Sequence, residues 1–420
     1  MRQTDPVSPH SFYVGPGKPL LRVTGWDDLV AAAQAGVLAE TQWVELKAAL
    51  PAKANVANLE LARDLASLSV DGGVLVIGVK NPGNQADHLV GTTDDLENLK
   101  SRIDQVAGST RIQPPLTVQM TPIPHPTDPE RYVLIVTVPA SASAPHMVDE
   151  KYWGRGATGK RPLADVEVSR LFAQRRGRRD DLRERLLGLS TGLDPLQSEL
   201  RQHGHLYVMA EPTAAWVGPP LAETLGSKHP LQMVGEALSF RPQSSPRFES
   251  LTFPVPHPDG LALASVDLGS TIAEVENSLL YLLVTDSGSV QLVSGHGTRT
   301  YGDQTGINSC HIMEIVHQAI ELTTYLGMHY LNHSGTWNIG VHVEGLEGLL
   351  PSQALVERTK YDFGRFTPFQ TNEYTRIITA TTKLAENTPG VVEKLLRDLA
   401  RGLGLANYLF PYSTPAEICR

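Results

Sequence analysis

The 420-residue chain has a net charge of −9, with 41% hydrophobic and 19% charged residues. This composition is ordinary for a soluble globular protein of two or three domains, and it argues against a surface coated throughout in phosphate-binding charge. No apolar run approaches the roughly 20 residues that span a bilayer, and two cysteines, Cys310 and Cys419, offer neither a disulfide framework nor a zinc pattern.

Residues 1–24 read as a loose arm. Met1 to Lys18 holds no apolar h-region, so the expected location is a reducing cytoplasm. Gly25-Trp26-Asp27-Asp28 opens a helix with acids at its positive end and an apolar face of Leu29, Val30, Ala33 and Val37. Glu40 to Lys47 reads as a strand. Alternation puts Trp43, Glu45 and Lys47 on one face and Val44 and Leu46 on the other. Glu40 is an odd number of residues from Glu45, so it joins that carboxylate only from a turn or helix end before the strand. Asn58 to Ser69 carries the helical stripe Leu59, Leu61, Ala62, Leu65, Ala66 and Leu68. Asp71-Gly72-Gly73 stops it, and Val74 to Val79 reads as a central strand buried on both faces.

Asn81 to His88 is a polar turn, Asp94 to Val106 a helix, and Leu116 to Thr121 with Arg131 to Val138 a hairpin with a long tip. His146 to Leu163 reads as a hairpin that sets Tyr152 and Trp153 beside Arg155, Lys160 and Arg161. Aromatic faces there stack on bases and the cations hold phosphates; the alternative is core aromatics beside a polar turn. A helix over Asp165 to Leu187 carries Arg175, Arg176, Arg178 and Arg179, either a phosphate contact or a solvated face. Residues 151–185 hold 11 basic against 5 acidic residues, so the positive charge is concentrated here. Ser190 to Pro195 reads as a domain boundary.

Residues 196–420 read as a second α+β domain. Its expected elements are a strand at His205–Ala210, a hairpin at Leu279–Ser294, a buried helix at Ile307–Leu331, strands at Trp337–Glu344 and Thr371–Thr382, and a helix at Val391–Leu403. His203 with His205, and His329 with His333, have spacings a metal site can use, but Tyr330 stands where a zinc-protease helix has its glutamate. No phosphate loop, nucleophile elbow or kinase motif is present.

The ordered set Glu-x4-Glu-x-Lys, helix, Gly-Gly-x-(apolar)3-Gly-Val resembles the AlbA-like domain of the Schlafen superfamily. The resemblance continues through Val90-Gly91, Tyr152-Trp153-Gly154-Arg155-Gly156 and Lys160-Arg161-Pro162-Leu163, covering roughly residues 25–175 within a domain placed at 25–190. It implies an α+β, mixed-sheet, nucleic-acid-binding fold. In several Schlafen proteins it also implies a metal-dependent endoribonuclease on tRNA-like substrates, in which two glutamates and an aspartate hold the cation. Glu40 and Glu45 match the glutamates and Lys47 the neighbouring lysine. Asn81 falls at the aspartate's position, leaving the site one charge short, with Asp71 or Asp87 as substitutes.

Two functions follow as expectations. The first is an endoribonuclease on structured RNA such as tRNA, a toxin or phage-defence effector. In it Glu40, Glu45 and Asn81 hold Mg²⁺ or Mn²⁺, and Lys47 offsets developing charge. The second is a non-catalytic DNA- or RNA-binding regulator whose second domain senses a ligand or partner. The plain alternative for Glu45 and Lys47 is a surface ion pair worth about 0–1 kcal/mol. Schlafen nucleases pair two such lobes around substrate, and a single lobe implies a homodimer.

Overall fold

The computed structural model describes residues 10–12, 14, 21–81, 88–141, 143–157, 159–213, 221, 230–331, 336–356, 366–380 and 387–412. The chain is α+β and divides into two compact units. The first comprises Met1–Arg178, Thr213–Pro220 and Gly327–Thr336; the second comprises Arg179–Pro212, Leu221–Leu326 and Trp337–Arg420.

In the first unit, β1 (His10–Phe12) and β2 (Leu21–Val23) pair antiparallel and precede α1 (Trp26–Gln34). The main sheet is built from β3 (Val44–Lys47), β4 (Gly73–Ile77), β5 (Gln119–Pro124) and β6 (Tyr132–Val138) in the order β3-β4-β6-β5. The β3–β4 pair is parallel and the other two are antiparallel, so the sheet is mixed. A parallel pair needs a crossover, and α2 (Asn55–Leu68) supplies it. Alternation along β4 then sorts the core. Val74 and Val76 join Leu29, Ala33, Val44 and Leu46 on the α1 side. Leu75 and Ile77 join Leu61, Leu65, Leu68 and Ile103 on the side of α2 and α3 (Leu96–Gly108). Gly72 takes φ +78° in the turn after α2, and a Cβ on Gly73 would lie 2.5 Å from the Trp43 carbonyl oxygen. The two glycines are therefore required for β4 to start beside β3.

The expected hairpin over 146–163 is instead three-stranded, with β7 (Met147–Val148), β8 (Lys151–Gly156) and β9 (Gly159–Pro162). The strand expected from Glu40 begins only at Val44. α4 (Asp165–Gly192) includes Gly177 and ends five residues past its expected end at Leu187. The two compact units part after Arg178, within α4.

The second unit centres on a seven-stranded antiparallel sheet. Its first strands in the chain are β10 (Leu206–Pro212), β11 (Phe253–His257), β12 (Gly260–Ala264), β13 (Leu280–Thr285) and β14 (Val290–Ser294). A separate pair, β15 (Thr298–Tyr301) and β16 (Gln304–Ile307), follows. β17 (Trp337–Glu344) and β18 (Glu373–Ala380) complete the sheet, in the order β11-β12-β13-β14-β10-β17-β18. The helices are α5 (Pro230–Ala237), α6 (Ile272–Ser278), α7 (Ser309–His329), α8 (Ser352–Val356), α9 (Thr388–Gly402) and α10 (Ala406–Leu409). Leu182, Leu186 and Leu189 of α4 pack with Tyr207, Met209 and Leu283 in one core layer. Cys310 is disulfide-bonded, and Cys419 lies outside the described residues. Among the described residues no helix is long and apolar enough to cross a membrane.

Candidate functional site

The site follows from the register of β3. Glu45 sits opposite Leu75 and Lys47 opposite Ile77, so both side chains lie on the face covered by α2. There they meet Asp64, which occupies the apolar stripe of α2 beside Leu61, Leu65 and Leu68 and is fully buried. The Lys47 ammonium bridges the two acids, 3.0 Å from Glu45 Oε1 and 3.0 Å from Asp64 Oδ2. Lys160, delivered by β9, stands 2.5 Å from Asp64 Oδ1 and 3.0 Å from Glu60 Oε2. Arg63 pairs with Glu60 at 2.5 Å and with Asp149 at 2.9 Å.

Arg155, delivered by β8, closes the other side of Glu45. Its Nη1 is 2.9 Å from Glu45 Oε2, an ion-pair distance outside hydrogen-bond alignment. Its Nη2 donates to the Thr41 carbonyl at 3.1 Å and to the Val44 carbonyl at 3.4 Å. Burial pushes the Glu45 carboxyl up, but Lys47 and Arg155 outweigh it and hold it below the usual carboxylate value. Burial likewise disfavours the Lys47 ammonium, and Asp64 and Glu45 outweigh it and raise its pKa.

Glu40 reaches the same place from the coil before β3. Its Oε1 accepts from the Leu46 N–H at 3.4 Å and its Oε2 from the Asn81 side-chain amide at 2.5 Å. Burial and then the Glu45 charge raise its pKa, only partly offset by the Leu46 N–H, Arg155 and Lys47. Asn81 thus stands where the resemblance placed it, against Glu40, but as a donor to that carboxylate. Asp71 accepts from Gln42 at 2.6 Å, and Asp87 lies outside the described residues.

These residues do not fit a divalent ion in this arrangement. Both oxygens of Glu45 face protein cations, and both oxygens of Glu40 accept protein N–H groups. Among the described residues no group of three or more His, Cys, Asp or Glu is arranged to hold a metal. Of the set Glu40, Glu45 and Asn81 expected for Mg²⁺ or Mn²⁺, Glu45 is neutralised here by Lys47 and Arg155, while Glu40 accepts from the Leu46 N–H and the Asn81 amide.

The residues of the expected nucleic-acid surface also make contacts within the fold. Arg155 is buried, 8% exposed, and its guanidinium braces β3 rather than facing solvent. The Trp153 indole donates to the Val148 carbonyl at 3.0 Å, and the Arg63 guanidinium covers its ring at 5.0 Å, where a base would stack. Tyr152 packs edge-on against Phe172. Arg161 makes a two-pronged pair with Glu167, at 2.7 and 2.6 Å, and this pair holds the Glu167 carboxyl down at about 2. The Arg175 guanidinium donates to the Ser143 carbonyl at 3.4 Å. Arg176, Arg178 and Arg179 stand in α4, with side chains outside the described residues. Asp64 is the residue that sequence reading missed. Its signal was an acid three residues after Leu61 and four before Leu68, inside an apolar stripe.

Two histidines of the second unit are held within the fold. His205 bonds to Asp194 at 2.6 Å, and His311 lies between Ser294 and Ser244. His203 and His205 come before β10 rather than along one strand face, and His333 lies outside the described residues.

The first unit is thus a mixed α+β sheet domain with a buried, charge-compensated acid–lysine cluster on one face. Residues 40–164 match the family described as Schlafen, AlbA_2, so the chain carries a Schlafen AlbA_2 domain. Such a domain points to a nucleic-acid-related function. Among solved structures the chain is similar to the DIP2311 protein from Corynebacterium diphtheriae, with 18% identity and a TM-score of 0.24. That match covers 34% of this chain and 28% of the other. No curated protein matches.

Proposed function

We propose that the chain is a nucleic-acid-binding protein whose AlbA_2 domain grips a phosphate backbone without metal-dependent cleavage. The observation that supports this reading is the pairing of Glu45 with Lys47 on one oxygen and Arg155 on the other. A carboxylate held by two protein cations gains little from a third, and removing one partner of such a buried pair is strongly unfavourable. The second unit then serves as a ligand- or partner-sensing part, and a homodimer offers two grips on one nucleic acid. Sedimentation with and without nucleic acid reports that stoichiometry.

A second reading is favoured by Glu40. Its raised pKa, from burial and the neighbouring Glu45 charge, marks a place where added positive charge is welcome. In that reading the chain is a metal-dependent endoribonuclease on structured RNA such as tRNA, acting in defence or as a toxin. Glu45 must then exchange a protein cation for Mg²⁺ or Mn²⁺. The test is incubation of the purified chain with total RNA and Mg²⁺ or Mn²⁺, alongside EDTA and Glu45→Gln controls. We expect binding without cleavage. Cleavage lost in both controls would replace the first reading by the second.

A further inference from the structure

The cluster on α2 contains two lysines whose hydrogen-bonding capacity is not used up. An ammonium has three N–H donors. Lys47 spends its contacts on Glu45 and Asp64, and Lys160 on Asp64 and Glu60, two each. Only the Lys47–Glu45 and Lys160–Asp64 contacts are aligned as hydrogen bonds, so each ammonium keeps at least one donor. Asp64 beneath them is sealed from solvent, whereas the lysine side chains are 23% and 22% exposed. The opening of this cluster to water is thus on the ammonium side. The two ammoniums also sit on the two oxygens of one carboxylate, which fixes their spacing more tightly than two free surface lysines. An anion carrying two acceptor oxygens on one centre matches a pair of donors held this way.

We propose that Lys47 and Lys160 form a phosphodiester clamp and that Asp64 is its positioning residue. The inference rests on the nucleic-acid-binding reading and names the contact within it. Asp64 lends no attraction of its own, since its charge repels phosphate. It acts by holding two flexible stems in one geometry, so that the backbone meets donors already ordered. Glu45 and Glu60 flank the pair and keep its net charge low. Recognition is therefore of a phosphate in a defined place rather than of polyanions in general.

This arrangement gives an experiment with a sign. Asp64→Asn preserves volume and makes the cluster more positive. If the lysines only neutralise a buried acid, the change strengthens phosphate binding or leaves it alone. If Asp64 positions them, binding weakens by roughly tenfold, the scale of one hydrogen bond to a charged group. The probes are a labelled tRNA transcript and a DNA duplex, titrated by fluorescence anisotropy over a range of salt, with folding checked by circular dichroism. Lys160→Gln is measured beside it, because Asp64→Asn can fail to fold. Loss of that lysine should flatten the slope of log K against log salt by roughly 0.7 on single strands or 0.9 on duplex. Lys394→Gln, on α9 of the second unit, should leave the slope unchanged. Tighter or equal binding by a folded Asp64→Asn chain, or an unchanged slope for Lys160→Gln, overturns the clamp while leaving the nucleic-acid reading intact. Absence of binding by the unaltered chain to either probe overturns both.

Discussion

Both units bury an aspartate among cations, and the two settings differ in one respect. In the second unit Asp194 accepts from Tyr207 at 2.9 Å, from the Leu196 N–H at 2.9 Å and from His205 at 2.6 Å, with Arg201 at 3.3 Å. Arg201 continues to Glu344 at 3.1 Å, and His205 Nε2 faces Glu276 at 3.5 Å. Every member but Glu344 is sealed, with Arg201 at 6% and His205 at 0% exposure. In the first unit Asp64 is as deeply buried, but its partners Lys47 and Lys160 reach solvent. A sealed network spends its donors on itself and fixes a fold. A network with cations at the surface fixes a geometry and leaves donors for something else. The same chemistry therefore reads as scaffold in one unit and as a site in the other.

The largest effect that separates them is on stability. Asp194→Ala strands Arg201 and His205 inside the protein, and we expect a loss of about 3–5 kcal/mol, the scale for breaking a buried pair. Asp64→Ala strands two lysines that can turn toward water, so its loss should be smaller, about 1–3 kcal/mol. Urea unfolding of both variants measures the difference. Equal losses would remove the distinction between the two networks.

A smaller effect comes from pH, and the two networks respond in opposite directions. Burial disfavours the His205 cation, but Asp194 and Glu276 outweigh burial and raise its pKa. His205 therefore contributes stability that is full below the ordinary histidine value of about 6.5 and is lost as pH rises through the raised value. The stability gap between the unaltered chain and His205→Gln should shrink as pH rises. Glu45 is held low, so its contribution is full above the ordinary carboxylate value and is lost as pH falls through the lowered one. The gap for Glu45→Gln should shrink on acidification. His296, His311 and His317, whose pKa values burial lowers, titrate in all these chains and cancel in the differences. Gaps that move together with pH would contradict the assignment.

The residue pattern carried the first sheet well. Alternation placed Glu45 and Lys47 on one face, the glycine pair located the start of β4, and the odd spacing required Glu40 to approach from outside the strand. The partners of those residues were not legible. Arg155 and Lys160 lie more than 90 positions from Glu45 and Asp64, and nothing local distinguishes a cation that folds inward from one that faces water. Charge density alone therefore does not show which of these cations pair within the fold. In the second unit β11 escaped because Pro254 and Pro256 break the strand signal; prolines are tolerated there since β11 is an edge strand. α4 continues through Gly177, since one glycine weakens a helix by only about 1 kcal/mol.

The central claim is that protein cations, not a divalent ion, neutralise Glu45 beside Glu40, and titration calorimetry with Mn²⁺ tests it most directly. We expect no saturable heat from the unaltered chain. Asn81→Asp sets a carboxylate against Glu40, whose pKa is already raised, so without metal it should lower stability by no more than about 1 kcal/mol. The same variant should gain a Mn²⁺ response, because it supplies the charge that the pair lacks. Saturable Mn²⁺ binding by the unaltered chain, abolished by Glu45→Gln, would contradict the claim.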